Sequence, residues 1–187
     1  MKISDLRVGV ARVATAAIAL LLAAHCTAQT ALSFDAMTER LEACIACHGK
    51  EGRTINAEYL PRIAGKPAGY LYNQLVNFRD GRRNNAVMSH LLQPLSDAYL
   101  REIAQYFSAL DVPYPPPQTP KVSADALRLG ETLVLRGDQS RKLPSCSQCH
   151  GTPMTGVTPA LPGLLGLPSA YLSAQLGAWR AGQRRAH

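Results

Sequence analysis

Apolar residues recur along the chain at the spacing of one face of an α-helix. Ser33, Ser96 and Ser123 stand where a side-chain oxygen can cap a first helical turn, and Pro67 suits the first turn of a further helix. No segment alternates convincingly as a strand does, so the pattern predicts an all-α chain. The apolar faces are Phe34, Met37, Leu41 and Cys44; Leu71, Leu75 and Phe78; Leu100, Ile103, Ala104, Phe107 and Leu110; Leu127, Gly130 and Val134; and Leu172, Leu176 and Trp179.

The first 28 residues have the pattern of a secretory signal peptide. Lys2, Arg7 and Arg12 give a basic start, residues 13–24 are apolar and uncharged, and small residues precede a cleavage position after Ala28. This run of 12 residues is short for a membrane-spanning helix, which needs about 20 apolar residues. An uncleaved anchor is the alternative. We expect export to the periplasm, with at most peripheral association with a membrane.

Two stretches of the chain match each other in register. Their cysteines are offset by 102 positions and their later residues by 101, so one residue is gained or lost between them. The match predicts a duplicated domain, with the first copy at 29–111 and the second at 123–187, joined by a Pro-rich linker at 112–122. The matched residues are 44–49 with 146–151, Pro61 with Pro162, Gly65 with Gly166, Pro67 with Pro168, 70–71 with 171–172, 74–75 with 175–176, 78–79 with 179–180, and Gly81 with Gly182.

Each copy contains the sequence Cys-x-x-Cys-His. Two thiols at this spacing can each add to one vinyl group of the same porphyrin, and the next residue then supplies an imidazole nitrogen to the iron. Two disulfides, which export permits, and a zinc site are the alternatives. We predict two covalently bound haem c groups, held by Cys44, Cys47 and His48 in the first copy and by Cys146, Cys149 and His150 in the second.

The composition agrees with domains whose cores contain a cofactor. The chain of 187 residues has only three Phe and one Trp, which is little apolar material for two cores. A porphyrin is a large apolar body around which helices can pack. Charged residues make up 18% and apolar residues 47% of the chain, which is within the globular range and argues against disorder.

With these motifs the chain resembles the class I c-type cytochromes, specifically the tandem dihaem cytochromes of the c-four type. The resemblance covers nearly all of residues 33–187 and includes the segment around Met88. It implies a small helical wrap around each haem and electron transfer in the bacterial periplasm, commonly to haem–copper terminal oxidases. It also implies that the carbonyl groups of Pro61 and Pro162 accept hydrogen bonds from the proximal histidines, which fixes the imidazole tautomer.

The resemblance also points to the sixth ligand of the first iron. Met88 lies 40 residues after His48 and just before the Ser96 helix, where the family has its axial methionine. Methionine–histidine ligation raises the reduction potential and suits a donor to an oxidase. His90 is the alternative ligand, and Met37 is expected in the core.

The second iron has no equivalent ligand within the sequence. The register of the repeat puts the counterpart of Met88 at position 189, two residues past His187. Met154 follows His150 by only four residues, and so short a segment cannot easily pass around a porphyrin. We therefore expect a second domain that is truncated at its C-terminus, within a fragment of a longer reading frame. His187 is the alternative distal ligand.

The basic charge does not point to nucleic acid. Loss of the signal peptide would reduce the net charge from +7 to +5, and four haem propionates would offset most of the rest. Aromatic residues are not interleaved with the basic ones as a stacking platform requires. The arginines that follow the Tyr-Leu segment recur, and we expect them near the propionates, on a docking rim or on a solvated face. They are Arg79, Arg82 and Arg83 in the first copy and Arg180, Arg184 and Arg185 in the second.

These features predict an electron carrier of a respiratory chain that delivers electrons toward a terminal oxidase. The first alternative is a cytochrome subunit of a periplasmic dehydrogenase. The second is a haem enzyme or gas-binding protein with an open second iron, which is disfavoured because no motif puts an acid–base His or Glu near either haem. The expected partners are therefore redox proteins, either a membrane oxidase or a dehydrogenase.

Overall fold

The structure is a computed structural model and describes residues 36–54 and 58–184. The signal peptide predicted at 1–28, the Ser33 cap, Phe34, Arg185 and His187 lie outside the described residues. Contacts divide the chain into two units, residues 1–42 and 43–187, and both Cys-x-x-Cys-His sequences lie in the second unit. The boundaries expected for the two copies, 29–111 and 123–187, stay predictions.

The first unit contains a described helical stretch at residues 36–40, followed by a turn at Leu41. Met37 and Leu41 are both buried, as expected for core residues. The helix predicted across Met37, Leu41 and Cys44 is thus present as two segments, the second of which is helix α1, Glu42–His48.

The first repeat continues with three helices. They are α2 (Ala68–Arg79), α3 (Ala86–Leu92) and α4 (Asp97–Ala109), and α2 packs against both α3 and α4. The Ser96 side chain caps α4 by accepting a hydrogen bond from the Tyr99 amide at 3.3 Å, as the sequence predicts. The core lies where these helices meet and includes Leu71, Phe78, Leu92, Leu100, Ile103, Ala104 and Phe107.

The second repeat has three α-helices among its described residues, and none of them corresponds to α3 or α4 of the first repeat. They are α5 (Ala124–Leu135), α6 (Cys146–His150) and α7 (Ser169–Arg180), and the Ser123 side chain caps α5 as predicted. Tyr171 is the only buried residue of these three helices. Trp179 is 42% exposed, whereas its counterpart Phe78 in the first repeat is 9% exposed.

A short antiparallel ribbon departs from the all-helical expectation. Strands β1 (Gly156–Val157) and β2 (Leu161–Pro162) pair Gly156 with Pro162 and Val157 with Leu161. Strands of two residues are too short to show alternation in a sequence. The ribbon has a local role, because it brings Pro162 beside α6.

The Pro-rich segment 112–122 has contacts with both repeats. The Arg62 guanidinium donates to the Pro113 carbonyl at 2.9 Å and also to the Val112 carbonyl. From the other side, the Ser169 amide donates to the Gln118 side chain at 3.1 Å. Within the part of the chain that the structure describes, no helix has the length and apolar character needed to cross a membrane.

Candidate haem-binding sites

The first Cys-x-x-Cys-His sequence occupies the last turns of α1. His48 is buried, and its Nδ1 donates a hydrogen bond to the Pro61 carbonyl at 2.9 Å. Burial lowers the pKa of His48, and the hydrogen bond to Pro61 opposes that shift. The ring is therefore held as a neutral imidazole with Nδ1 protonated, which leaves the Nε2 lone pair available to a metal.

The second sequence repeats this geometry on α6. His150 Nδ1 donates to the Pro162 carbonyl at 2.6 Å, and the β1–β2 ribbon carries that carbonyl. Both hydrogen bonds that the family resemblance implied are thus present. They join residues 13 positions apart in the first copy and 12 in the second, so the loop between His and Pro absorbs the change of register.

The four cysteines of the two Cys-x-x-Cys-His sequences are not joined by disulfide bonds in the structure. Cys44 and Cys146 are half-buried, whereas Cys47 and Cys149 are exposed. Burial raises the pKa of the Cys44 thiol, and the nearby Cys47 adds to the shift. Among the described residues, no three His, Cys, Asp or Glu side chains come together as the zinc alternative requires.

A cavity of about 480 Å³ lies beside the first Cys-x-x-Cys-His sequence. This volume is within the range of about 300–1,000 Å³ that is typical of ligand and cofactor sites. His48 and Met88 both line it, whereas His90 is exposed on the same helix as Met88 and is outside the lining. The apolar part of the wall includes Leu71, Phe78, Leu92, Ile103, Ala104 and Phe107.

Helix α3 holds Met88 at this cavity. The side chain of Asn85 caps the helix by accepting a hydrogen bond from the Met88 amide at 3.0 Å. Ser89 Oγ donates to the Phe78 carbonyl at 2.8 Å and so ties α3 to α2. This helix was not predicted from the sequence, although Asn85 followed by an apolar stretch is a start signal that could have predicted it.

The polar part of the cavity wall is basic. Arg62, Lys66, Arg83 and Arg184 line it, and no Asp or Glu is among its described lining residues. Because unpaired buried cations are costly, such a wall favours a ligand that is apolar and carries anionic groups. A haem, with its apolar ring and two propionates, fits both the volume and the charge of this cavity.

Arg83 joins the two repeats at the cavity wall. Its guanidinium donates to Gln74 of its own repeat at 2.9 Å, and to Tyr171 and Gln175 of the other repeat at 2.9 and 2.8 Å. It also lies 4.4 Å from the centre of the Phe78 ring. Of the expectations for the recurring arginines, a solvated face is therefore wrong for Arg83, which is 9% exposed.

Arg184 makes the equivalent contacts in the opposite direction. It donates to Gln175 of its own repeat at 2.8 Å, and to Tyr70 and Gln74 of the first repeat at 3.1 and 3.3 Å. Its guanidinium lies 5.2 Å from the centre of the Trp179 ring. We call the six side chains that form this reciprocal set the arginine network: Arg83, Arg184, Tyr70, Tyr171, Gln74 and Gln175.

The other recurring arginines differ from this pair. Arg82 and Arg180 are exposed. Arg79 is half-buried and forms ion pairs with Asp80 at 2.9 Å and Asp97 at 2.6 Å. Of the described recurring arginines, one from each repeat therefore lines the cavity, and the others do not.

The second repeat has no equivalent of Met88 among the described residues. Met154 lies in the turn after α6, where its carbonyl accepts hydrogen bonds from the amides of Leu164 and Leu165 at 2.7 and 2.9 Å. These bonds hold the Met154 backbone in the turn directly after α6, and its exclusion as a distal ligand stays a prediction. His187, the alternative, lies outside the described residues.

Comparisons with known proteins give a consistent result. No protein-family model matches the chain. It is 43% identical over 152 residues to a thiosulfate dehydrogenase electron acceptor from Thiomonas intermedia, which covers 81% of this chain and 69% of that protein. It is 31% identical over 170 residues to cytochrome c4 from Pseudomonas aeruginosa, which covers 89% and 82% of the two chains.

Solved structures also resemble the chain. Reduced cytochrome c4 from Pseudomonas stutzeri matches with a TM-score of 0.69 and 31% identity, over 81% of this chain and 82% of that one. A thiosulfate dehydrogenase from Marichromatium purpuratum matches with a TM-score of 0.68 and 36% identity. The second match covers 76% of this chain but only 30% of the dehydrogenase chain.

Proposed function

Because the chain belongs to the cytochrome c4 family of dihaem class I c-type cytochromes, we propose that it carries electrons from a periplasmic dehydrogenase of the thiosulfate-oxidising type toward a terminal oxidase. Electron transfer and two covalently bound haem c groups are common to this family. The donor is inferred from the relative that is 43% identical, which is an electron acceptor of thiosulfate dehydrogenase. The observation that carries the proposal is the repeated Cys-x-x-Cys-His sequence with its His–Pro hydrogen bond.

We assign the covalent attachment to the four cysteines. Each thiol would add its sulfur and its hydrogen across one vinyl group of the porphyrin, so a thioether would form without a leaving group. The attached haem then supplies one-electron chemistry at its iron. The first haem is assigned to Cys44 and Cys47, and the second to Cys146 and Cys149. The position of Cys44 and Cys47 at the cavity supports the first of these assignments.

The proximal ligands in this proposal are His48 and His150. Each ring is oriented by a single backbone carbonyl, from Pro61 or Pro162, which keeps Nε2 deprotonated and directed away from that carbonyl. A fixed imidazole also needs little rearrangement when the iron changes its oxidation state. An electron carrier requires that its structure change little between the oxidised and the reduced state.

Met88 is the proposed distal ligand of the first iron. The proposal is supported by the cavity that both His48 and Met88 line and by the Asn85 cap that fixes the start of α3. A thioether ligand favours ferrous iron and therefore raises the potential. The distal ligand of the second iron is left unassigned.

The proposed domain division is a first cytochrome c domain at 29–111, a Pro-rich linker at 112–122 and a second domain at 123–187, after a signal peptide at 1–28. The division is supported by the repeat and by the bonds that tie the linker to Arg62 on one side and to Ser169 on the other. Export to the periplasm is part of the proposal, because haem is attached to such sequences after export.

In this proposal the chain transfers electrons and performs no bond-making chemistry on a substrate. Catalysis belongs to the dehydrogenase. A permanent cytochrome subunit of that enzyme is the second candidate, supported by the structural match to part of a longer thiosulfate dehydrogenase chain. Co-purification with the dehydrogenase in a fixed ratio would distinguish a subunit from a mobile carrier.

Intact mass spectrometry of protein matured in a periplasm tests the cofactor assignment. The mass should exceed that of the processed chain by two haem groups. Replacing Cys44 and Cys47 by Ala, or Cys146 and Cys149 by Ala, should each remove one haem. A protein that carries no haem, with four titratable thiols, would contradict the assignment.

Stopped-flow absorption tests the donor. The oxidised protein should be reduced within seconds by a thiosulfate dehydrogenase supplied with thiosulfate, and should stay oxidised when either the enzyme or thiosulfate is left out. If the complete system fails to reduce a protein that carries both haems, the proposed donor is wrong, whereas the cofactor assignment still holds.

A further inference from the structure

Lys66 is a buried cation that crosses from one repeat to the other. Its residue is 2% exposed, and its Nζ donates a hydrogen bond to the Gly163 carbonyl at 2.5 Å. Gly163 follows Pro162, the proximal acceptor of the second repeat, and both Lys66 and Gly163 line the cavity of the first. The ammonium group therefore lies on the first cavity and against the backbone of the second site.

This charge has no counterpart in the second copy. The register that matches Gly65 with Gly166 and Pro67 with Pro168 puts Leu167 opposite Lys66. The arginine network, by contrast, contributes one guanidinium from each copy. The positive charge of Lys66 thus breaks the symmetry of a repeat that is otherwise closely matched.

The groups around Lys66 do not neutralise it. Among the described residues, the charged groups that share its cavity are Arg62 from the same loop, Arg83 after α2 and Arg184 after α7, and all are cations. Burial, with a smaller contribution from Arg62, lowers the pKa of Lys66 to about 8. A carboxylate-bearing ligand in the cavity would stabilise the charged form, which supports a role for this side chain toward the cofactor.

Arg62 also lacks a basic counterpart, because Gly163 occupies the equivalent position. Its guanidinium is, however, bonded to the carbonyls of Val112 and Pro113 and lies 4.4 Å from the centre of the Tyr114 ring. These bonds commit Arg62 to the Pro-rich segment. Lys66 is therefore the better candidate for an asymmetric charge at the cofactor.

We propose that Lys66 sets the difference between the two haem potentials, by holding a positive charge on the cavity of the first haem that has no equivalent in the second copy. The inference rests on the proposed function. A fixed cation disfavours the ferric state, which carries one more positive charge than the ferrous state, and burial limits screening by solvent and salt. The charge therefore raises the reduction potential of the first haem. In the protein that holds one electron for its two haems, that electron then resides mainly on the first haem.

The experiment compares reduction potentials in the dihaem protein. Wild type, Lys66→Gln and Lys66→Met are titrated in a spectroelectrochemical cell, and the methyl NMR signal of Met88, labelled with ¹³C, reports the first haem separately. Gln keeps a donor for Gly163 without the charge, so it separates charge from hydrogen bonding. The matched control is Lys50→Met, which removes the same charge from an exposed position.

We expect both Lys66 variants to lower the potential of the first haem more than that of the second. Lys66→Arg should restore the wild-type difference, and Lys50→Met should leave it unchanged. Equal shifts of both haems, a shift mainly of the second, or no shift in Lys66→Gln would overturn the inference. A wild-type protein without two haems, or a Met88 methyl without the shift of an iron ligand, would instead contradict the proposed function.

Discussion

The guanidinium of Arg83 donates a hydrogen bond to the hydroxyl of Tyr171 at 2.9 Å and so joins two copies of one repeat across 88 positions of sequence. The reciprocal bond runs from Arg184 to the hydroxyl of Tyr70 at 3.1 Å. Each copy therefore provides the same donor and the same acceptor. This is the self-complementary arrangement of a two-fold interface, here within one chain.

Loss of one arginine should destabilise this interface. In Arg83→Met, Gln74, Tyr171 and Gln175 each lose a donor in a largely buried setting, and we expect a cost of about 1–3 kcal/mol. Arg184→Met should cost a similar amount. Chemical denaturation of the holoprotein measures both effects.

Arg136→Met is the matched control, because Arg136 is exposed at the end of α5. Its effect should stay within about 0.5 kcal/mol. In the double variant of Arg83 and Arg184 the two losses should not add, since both arginines share Gln74 and Gln175. Additive losses would show that the two bonds are independent and that the network is not a unit.

The same network controls the ionisation of Tyr70. Burial raises the pKa of Tyr70 above its usual value and Tyr171 adds to the shift, while Arg184 and Arg83 oppose it. Arg184→Met should therefore raise the pKa further. NMR titration of tyrosine labelled with ¹³C at Cζ measures the change. An unchanged or lower pKa would mean that Arg184 does not act on this hydroxyl.

The raised pKa of Tyr70 also predicts the direction of a pH effect. A phenol that ionises less readily when folded stabilises the protein fully below the unfolded-state pKa of about 10, and this contribution is lost at higher pH. The free energy of unfolding should accordingly fall above about pH 10. The fall should be smaller in Tyr70→Phe, which has no ionisable group there.

The sequence predicted the parts of the fold that depend on local signals. The Ser96 and Ser123 caps were found where the pattern put them, because an N-cap needs only its own residue and the next turn. The partners of Lys66 and Arg83 were not predicted. Gly163 and Tyr171 are 97 and 88 positions away, and only tertiary packing brings them together.

Replacing Met88 tests the distal ligand of the first iron. Met88→Ala should abolish the weak red absorption band of the thioether–ferric iron bond and lower the potential of that haem. Met154→Leu, a similar change in the other repeat, should leave both properties unchanged, as should His90→Ala at the exposed alternative. If the wild type lacked this band and His90→Ala alone shifted the potential of that haem, the ligand assignment would move to His90.

Gly52 closes the turn that follows His48. Its φ is +67°, and a Cβ there would lie 2.6 Å from Ile63 Cγ1 and 3.0 Å from Phe107 Cδ1. Its carbonyl also accepts hydrogen bonds from the amides of Ile63 and Ala64 at 2.9 and 3.1 Å, so the backbone cannot readily move away. We expect Gly52→Ala to destabilise the protein by about 1–3 kcal/mol, measured by denaturation of the holoprotein.

Gly177→Ala is the matched control for this change. Gly177 lies inside helix α7, and no described heavy atom outside its own helix turn comes within 4 Å of a Cβ built there. Because Ala is the better helix former, this substitution should stabilise the protein by about 0.5–1 kcal/mol. Each variant adds one methyl group, but the change in the free energy of unfolding should have opposite signs in the two. This difference separates steric strain in the turn after His48 from a general effect of losing a glycine. A neutral Gly52→Ala would show that this turn relaxes without disturbing Ile63 and Phe107.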